Sequence, residues 1–389
     1  MSSLSMTEND TRQLLDDLKS YFEPDRHWLQ RVRNFYAALF ENRIPDELMI
    51  ALPGHAAPGH EKQRFNLREQ YHDPLKMLYE HLRVMVARAR TGQGAAVPTL
   101  RANLGTGFVA SVFGIDQLIF EDKMPWPQGH LEKEEIAGLD PDDFADVSGK
   151  GLVPYAREIY ELYEKELGTS EFCFVPDTQG ALDIAHLVRG DEIFIDMYED
   201  SPFVHHLMEL ALAAYVSVTR AMKAAIHEPR TSGRHSGMFL SNGGVRYCMD
   251  TSVLCSRELL ETFEVPYLRR ALQEFGGGWV HFCGYAPHLT QLLVDVPEVR
   301  GVNPNYMDTR PYDYAGDTML LRENGQFFRG APFKDEHEDM DAYFARLLAP
   351  LPDPSGALFM PRGSGLSGSA AEMQAAWKSA LDRRWSDAG

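Results

Sequence analysis

A histidine and a cysteine stand two residues apart in the run VHFCG, as His281 and Cys283. On a β-strand, residues i and i+2 point to the same face, so both side chains would project in one direction. Imidazole and thiolate are zinc ligands, and this pair would supply two corners of a tetrahedral site. An HxC pair taken alone is also typical of a packed core, so the pattern needs the context of neighbouring elements.

Polar residues also follow other apolar runs. Tyr247 and Asp250 lie at the end of GVRYCMD, and Asn303 lies in VRGVNPN. Asp250 suits a general base or a substrate-orienting group, and equally an N-cap for the following turn. Gln179 in PDTQG suits a ligand contact or helix capping. Arg101 in TLRAN suits a substrate anion or an ion pair within an acidic chain.

The elements that would position these residues alternate between short apolar runs and amphipathic segments. The candidate strands are DELMIAL, AVPTLRAN, QLIFED, EFCFVPD, GVRYCMD, GWVHFCG, VRGVNPN, GQFFRG and GALFMPRG. Strands separated by helices predict a parallel sheet, because parallel strands need a crossover connection. DELMIAL and seven of the others would close an α/β fold, the (β/α)8 barrel. The segment TMLLRENGQFFRG contains Asn-Gly between apolar runs, so it also suits a β-hairpin.

Composition excludes several classes of function. The chain of 389 residues carries 38 basic and 57 acidic residues, a net charge of −19, which disfavours nucleic-acid binding. No apolar run approaches the length of about 18 residues that predicts a membrane span. The first residues lack the pattern of a secretory signal. Four widely spaced cysteines do not suggest a disulfide framework. We therefore expect a cytoplasmic protein that acts on a small-molecule substrate.

Three segments resemble the uroporphyrinogen decarboxylase superfamily: PDTQGALDIAHLVRGDEIFIDMYEDSPFVHHLMELALAAY, MDTSVLCSRELLETFEVPYLRRALQEFGG and VHFCGYAPHLTQLLVDVPEVRGVN. Within it, they are most similar to zinc methyltransferases that work with methylated corrinoid proteins. RVRNFYAALFENRIPDELM resembles the opening helix and first strand of that family. The resemblance implies a (β/α)8 TIM barrel over residues 31–389, with a helical extension over residues 1–30. It also implies a site at the carboxyl ends of the strands.

The resemblance implies that His281 and Cys283 are zinc ligands and that a corrinoid is carried on a partner protein. Such methyltransferases take a further cysteine from a turn after the last strand, where this chain has Ser364 in PRGSG. Ser364 is a poor zinc ligand, and we assign it to substrate binding. The candidates for a third ligand are Cys248, His55, His60, Asp250 and His288.

The decarboxylase branch of the superfamily fits less well. Uroporphyrinogen decarboxylases use an arginine-rich segment after the first strand to pair with substrate carboxylates. The matching segment, ALPGHAAPGHEKQR, has no arginine before Arg64. LIFEDKM resembles the Phe-Ser-Asp segment of the family, and the resemblance implies that Asp122 takes the place of an aspartate that binds pyrrole N–H groups. One aspartate without the arginines argues against decarboxylation in haem synthesis.

Three functions stay open at this point. The first is an enzyme that moves a methyl group between a donor and a thiol or other small acceptor. Its predicted catalytic residues are Asp250, Tyr247 and Asp122, and its predicted substrate-binding residues are Arg101, Gln179, Asn303 and Ser364. The second is a metal-independent decarboxylase or other lyase on a carboxylated molecule, using Arg101, Arg246, Arg310 and Asp122. The third is a non-catalytic barrel that binds a small molecule. Members of the superfamily are often dimers, so the resemblance allows a homodimer.

Overall fold

Apolar strands and amphipathic helices alternate along much of the chain and form a mixed α/β protein. The computed structural model describes residues 7–52, 62–91, 94–306, 312–363, 366 and 369–385. Its helices are α1 (Glu8–Ser20), α2 (Arg26–Phe40), α3 (Leu67–His72), α4 (Pro74–Thr91), α5 (Lys133–Ala137), α6 (Val153–Leu167), α7 (Ala181–Arg189), α8 (Ile193–Glu199), α9 (Ser201–Ala225), α10 (Arg257–Phe263), α11 (Val265–Glu274), α12 (Pro287–Leu293), α13 (Tyr314–Glu323), α14 (Met340–Leu348) and α15 (Ala370–Trp385).

The strands are short. They are β1 (Asp116–Leu118), β2 (Trp126–Gln128), β3 (Gly233–His235), β4 (Met238–Leu240), β5 (Val245–Cys248), β6 (Gly278–Cys283), β7 (Val299–Asn305), β8 (Phe327–Gly330) and β9 (Ala357–Phe359). Within the described ranges, no helix has both the length and the apolar character needed to cross a lipid bilayer.

One compact unit comprises the described residues of 7–25, 62–90 and 98–229. It is largely helical, and the long helix α9 packs against α6, α7 and α8. Strands β1 and β2 pair with each other in antiparallel fashion. Leu100 and Cys173 form an isolated parallel bridge. The predicted strands AVPTLRAN and EFCFVPD are therefore represented by single bridge positions in this unit.

The second unit comprises the described residues of 26–52, 94–97 and 230–385. Its parallel sheet has the order β5-β6-β7-β8-β9, so sequence neighbours are also neighbours in space. Helices stand between successive strands because a parallel pair needs a crossover connection. Ile50, in the predicted strand DELMIAL, forms a parallel bridge with Phe359 in β9. Strands β3 and β4 form a separate antiparallel pair.

Two predicted elements differ from the observed ones. QLIFED contributes to β1, which pairs antiparallel with β2 rather than joining the parallel sheet. The segment TMLLRENGQFFRG is not a hairpin, because α13 ends at Glu323 and β8 begins at Phe327. Gly325 takes φ +75°, and the Gln326 N–H donates to the Leu321 carbonyl at 2.9 Å. The Asn-Gly pair thus ends a helix, a role for which glycine is also favoured.

Alternation along the central strands separates a polar face from an apolar one. Val280 pairs in register with Val302, and Val302 with Phe328, and all three are fully buried. Residues on either side of them in sequence point to the opposite face of the sheet. That face carries Trp279 and His281 on β6, and it leads to the candidate site.

Gly301 gives this face the room for a buried ring. Trp279 pairs in register with Gly301, and Gly301 with Phe327. A Cβ atom added at Gly301 would lie 2.5 Å from three atoms of the Phe327 side chain. Real Cβ atoms do not approach this closely, so a side chain at this position requires the ring to move.

We expect Gly301→Ala to destabilise the fold by about 1–3 kcal/mol, because the buried Phe327 ring must shift within a close-packed layer. Chemical denaturation with a fixed m-value measures this loss. Gly149→Ala is the matched control, since an added Cβ there meets no atom within 4 Å. Equal stability of the two variants would contradict the packing argument.

Candidate functional site

The carboxyl ends of β5, β6 and β7 bring predicted site residues into one row. The parallel register pairs Cys248 with His281, and His281 with Asn303. Residues in register on neighbouring strands share a face of the sheet, so their side chains lie side by side. His281 Nδ1 lies 2.8 Å from Asn303 Oδ1. The structure therefore brings the predicted residues His281 and Asn303 into direct contact.

The amide of Asn303 determines which nitrogen of His281 carries the proton. Arg329 Nη1 donates to Asn303 Oδ1 at 3.0 Å, and Asn303 Nδ2 donates to the Arg329 carbonyl at 2.6 Å. A guanidinium group only donates, so the amide atom that it meets is the oxygen, which only accepts. His281 Nδ1, bonded to the same oxygen, must therefore carry the hydrogen. His281 Nε2 keeps its lone pair.

Burial keeps the His281 imidazole neutral. Desolvation, followed by the positive charge of Arg246, lowers the pKa of His281 to about 4 from the ordinary value of 6.5. The nearby Asp250 carboxylate opposes this shift but does not overcome it. At neutral pH the ring is thus uncharged, with a lone pair on Nε2, which is the form of histidine that binds a metal or accepts a proton.

Cys283 lies next to that lone pair. Its Sγ is 3.2 Å from His281 Nε2 and 3.4 Å from Asn305 Nδ2, which donates to it. Burial, and then the negative charge of Asp250, raises the pKa of the Cys283 thiol. The direction of this shift opposes thiolate formation. Without a further cation, the pair is a neutral thiol beside a neutral imidazole.

Asp250 uses its carboxylate at the site rather than as a helix cap. Its Oδ1 accepts from the Cys283 backbone N–H at 2.6 Å. It stands at the start of the short helical turn Thr251–Leu254 but makes no side-chain capping bond to it. The N-cap interpretation of Asp250 is therefore wrong, and the residue links the end of β5 to the end of β6.

Three of these residues form a group that could hold a metal ion. One ligand atom from each of Cys248, Asp250 and His281 lies within 4.8 Å of the other two. Thiolate, carboxylate and imidazole together are a donor set that suits zinc. Asn303 accepts the other ring N–H of His281, as the partner of a metal-binding histidine commonly does. The residues fit a zinc ion, and the group adds Cys248 and Asp250 to the predicted ligand His281.

Two buried guanidinium groups lie close to this cluster. Arg246 and Arg329 are only 9% and 6% exposed, and each contributes to the lowered pKa of His281. Arg329 stacks on the Trp279 ring, with Cζ 4.6 Å from the ring centroid. Among the described residues no carboxylate pairs with Arg329, and its Nε has no hydrogen-bond partner. Burial lowers its pKa to about 10, so it stays charged at neutral pH.

Other predicted site residues belong to the first unit. Arg101 forms an ion pair with Asp177 at 3.2 Å, which is one of the two roles predicted for it from the sequence. Gln179 donates to Asp177 Oδ1 at 3.1 Å and does not cap a helix. Asp122 is exposed. Within this unit the structure joins Arg101 and Gln179 through Asp177.

Tyr247 lies on the opposite face of β5 from Cys248 and is fully buried. Its hydroxyl donates to Glu264 Oε1 at 2.6 Å, so the structure gives it a bond within the core and does not bring it to His281. His288 Nε2 contacts the Cys255 carbonyl at 3.0 Å. The remaining predicted positions, Ser364, His55, His60 and Arg310, lie outside the described residues.

Two residues of the site were not predicted from the sequence. One is Arg329, which donates a hydrogen bond to Asn303. The other is Asn305, which donates a hydrogen bond to the sulfur of Cys283. Arg329 follows Phe328 in the predicted strand GQFFRG, and the alternation of faces could have placed it beside Asn303. Nothing in the sequence alone gives the register that makes these contacts.

No family model matches the chain, and no curated protein matches it. Among solved structures, the chain is similar to a methyltransferase from Methanosarcina mazei, with a TM-score of 0.61 and 13% sequence identity. The match covers 90% of this chain and 98% of that chain. At this level of identity the likeness concerns the fold.

In the metal-free protein we expect His281 to titrate near pH 4 rather than at its ordinary value of 6.5, because burial and Arg246 disfavour the imidazolium. Only the folded chain disfavours protonation of His281. The contribution of this residue to the free energy of unfolding is therefore fully present above pH 6.5 and is lost as the pH falls toward 4. Nitrogen NMR of labelled histidine measures the midpoint and should show the proton on Nδ1. A midpoint above pH 6, or a proton on Nε2, would contradict the assignment.

Proposed function

We propose that the chain is a methyltransferase that moves a methyl group from a donor to a thiol or another small acceptor. The proposed site consists of Cys248, Asp250 and His281, with a zinc ion as cofactor. The observation that carries the proposal is this group of thiol, carboxylate and neutral imidazole at the carboxyl ends of parallel strands. The similarity of the fold to that of a methyltransferase supports it.

A zinc ion bound by Cys248, Asp250 and His281 would supply a Lewis acid that lowers the pKa of a thiol. The protein's own contribution is to prepare the ligands. Asn303 holds the Nδ1 proton, so His281 presents the Nε2 lone pair. Asp250 is held in place by the Cys283 backbone N–H. Cys248 is fully buried, so water does not compete for its sulfur.

The chemistry is a displacement at a methyl carbon. The acceptor thiol loses its proton to solvent, and its sulfur forms a bond to the methyl carbon as the bond to the donor breaks. The electron pair of that bond leaves with the donor, for which we propose a methylated corrinoid on a partner protein. A thiolate acceptor is negatively charged, and the nearby Arg246 and Arg329 would favour it electrostatically.

A second candidate function is a metal-independent lyase that acts on a carboxylated small molecule. The observation that favours it is the buried charge of Arg329, which has no carboxylate partner among the residues described. A buried guanidinium without a counter-ion is costly, and a substrate carboxylate would offset that cost. The two functions differ in their need for metal, and the first experiment below separates them.

We also propose that the strands belong to a (β/α)8 barrel. The order of β5 to β9 follows the chain, as in a barrel. The bridge between Ile50 and Phe359 supports a first strand beside the last one. The parallel bridge between Leu100 and Cys173 supports two further strands at the positions predicted for them.

We expect purified protein to hold roughly one zinc ion per chain, and Cys248→Ala and His281→Gln to lose it, because a tetrahedral site fails without its protein ligands. Asn303→Ala should weaken zinc binding by about 10- to 100-fold, since the histidine loses its orienting partner. Elemental analysis and competition with a chromogenic chelator give both values. Methyl transfer from methylcobalamin to a small thiol should fall with zinc content.

Two controls make the zinc experiment specific. Cys173→Ala removes a buried cysteine of the other unit and should leave the zinc content unchanged. Cys283→Ala tests whether Cys283, whose Sγ lies 3.2 Å from His281 Nε2, is also a ligand; the proposed set of Cys248, Asp250 and His281 predicts that this variant keeps the metal. A zinc-free protein whose activity is unchanged in His281→Gln would overturn the proposal. Loss of zinc in Cys283→Ala alone would move the site to the pair predicted from the sequence.

If Arg329 binds a substrate carboxylate, added carboxylate ions should stabilise the unaltered protein. We expect Arg329→Met to abolish this stabilisation, because the substitution removes the buried charge while keeping a similar side-chain length. The measurement is the rise in melting temperature on adding acetate or succinate at constant ionic strength. Arg270→Met, which removes an exposed arginine, should respond like the unaltered protein. An equal rise in both variants would show that Arg329 does not bind anions.

A further inference from the structure

A cavity lies beyond the ends of β6 and β7, among residues that the proposed methyl transfer does not use. It has a volume of about 390 Å³ and is lined by Tyr285, Pro287, Tyr312, Asp313 and Asp317. All five belong to the unit that contains the parallel sheet. Two of them are tyrosines and two are aspartates, so the lining combines aromatic surface with negative charge.

The aromatic part of the lining is supported from behind by a third tyrosine. The fully buried Tyr306 packs between the other two, with ring centroids 5.4 Å from Tyr285 and 3.9 Å from Tyr312. Tyr306 also contacts Phe282 edge to face, on the apolar side of β6. Three tyrosine rings thus form a continuous cluster, and ring faces attract cations through their negative electrostatic potential.

The acidic part of the lining is Asp317 in the first turn of α13. Its Oδ2 accepts from the buried Thr290 Oγ1 at 3.0 Å. Asp313 caps α13 by accepting from the Gly316 N–H at 2.9 Å, which keeps a second carboxylate at the cavity. Burial raises the pKa of Asp317 to about 6, and a bound cation would stabilise its ionised form.

The arginine whose charge acts on the cavity residue Tyr312 already has other partners. Arg362, whose charge acts on Tyr312, donates to Asn305 Oδ1 at 2.9 Å and to the Ala331 carbonyl at 2.7 Å. Its guanidinium also lies 4.4 Å from the centroid of the Phe333 ring. Within the described part of the chain, no lysine, arginine or histidine side chain forms an ion pair with Asp317. The cavity therefore presents two carboxylates against this single, already bonded guanidinium.

We propose that this cavity binds the ammonium head of a small organic cation. Tyr285 and Tyr312 would contact its alkyl groups and its charge, and Asp317 would be its counter-ion. The Tyr312 hydroxyl lies within hydrogen-bonding reach of the Asp317 carboxylate, so an N–H of a protonated amine placed there would meet two oxygen acceptors. The site is distinct from Cys248, Asp250 and His281, and its ligand binds without any methyl transfer.

Calorimetric titration with methylammonium, tetramethylammonium and neutral tert-butanol at constant ionic strength tests the proposal. Both cations should bind at least about tenfold more tightly than tert-butanol, which has a similar shape but no charge. Methylammonium has N–H donors and tetramethylammonium has none, so the difference between their affinities shows whether an N–H donor contributes. Binding of all three with equal affinity, or of none, would overturn the proposal.

Variants of the cavity residues locate the binding. Asp317→Asn keeps an acceptor for Thr290 and removes the charge, and it should weaken cation binding about tenfold. Asp341→Asn is its control, because Asp341 is an exposed aspartate outside the cavity lining. Tyr285→Leu should weaken binding of tetramethylammonium, whereas Tyr198→Leu, which changes a side chain that is 76% exposed, should not. Unchanged affinity in both Asp317→Asn and Tyr285→Leu would exclude this cavity. None of these measurements depends on zinc or on methyl transfer.

Discussion

The double hydrogen bond on Asn303 Oδ1 is the interaction on which the candidate site depends. One oxygen accepts from both Arg329 and His281, and the amide nitrogen donates back to the Arg329 carbonyl. These contacts join β6, β7 and β8, and they determine which ring nitrogen of His281 carries the proton. The same bond that stabilises the sheet thus leaves Nε2 of His281 free of hydrogen, as a metal ligand requires.

Two buried positive charges lie beside the imidazole of the candidate site. Arg246 and Arg329 are buried beside His281, and their charges help to keep that ring neutral. The Cys283 thiol is also held in its neutral form, because burial and Asp250 oppose its ionisation. Such a site does not activate sulfur by itself. A metal ion at Cys248, Asp250 and His281, or an anionic substrate against the arginines, is the kind of ligand that would change this balance.

The two faces of β6 serve different purposes. His281 and Cys283 point to the polar face, whereas Phe282 lies on the apolar face and contacts Tyr306. Tyr306 connects in turn to the cavity lined by Asp317. Because side chains alternate along β6, His281 belongs to the proposed zinc site, whereas its neighbour Phe282 packs against the tyrosine cluster of the proposed cation site. The two sites differ in chemistry because one lies among nitrogen and sulfur donors and the other among aromatic rings and carboxylates.

The sequence by itself determined that His281 and Cys283 share a face and that Asn303 lies near them, because these follow from strand alternation and from the meeting of parallel strand ends. It also predicted that amphipathic helices separate the strands, because apolar spacing along a helix is a local property. Only the tertiary structure decided that Cys248 and Asp250 join His281 and that Arg329 fixes its tautomer. Those choices depend on register between distant strands, and a shift of one residue reverses every side chain. Asn-Gly after α13 was ambiguous for a different reason, since a hairpin turn and a helix end use the same local chemistry.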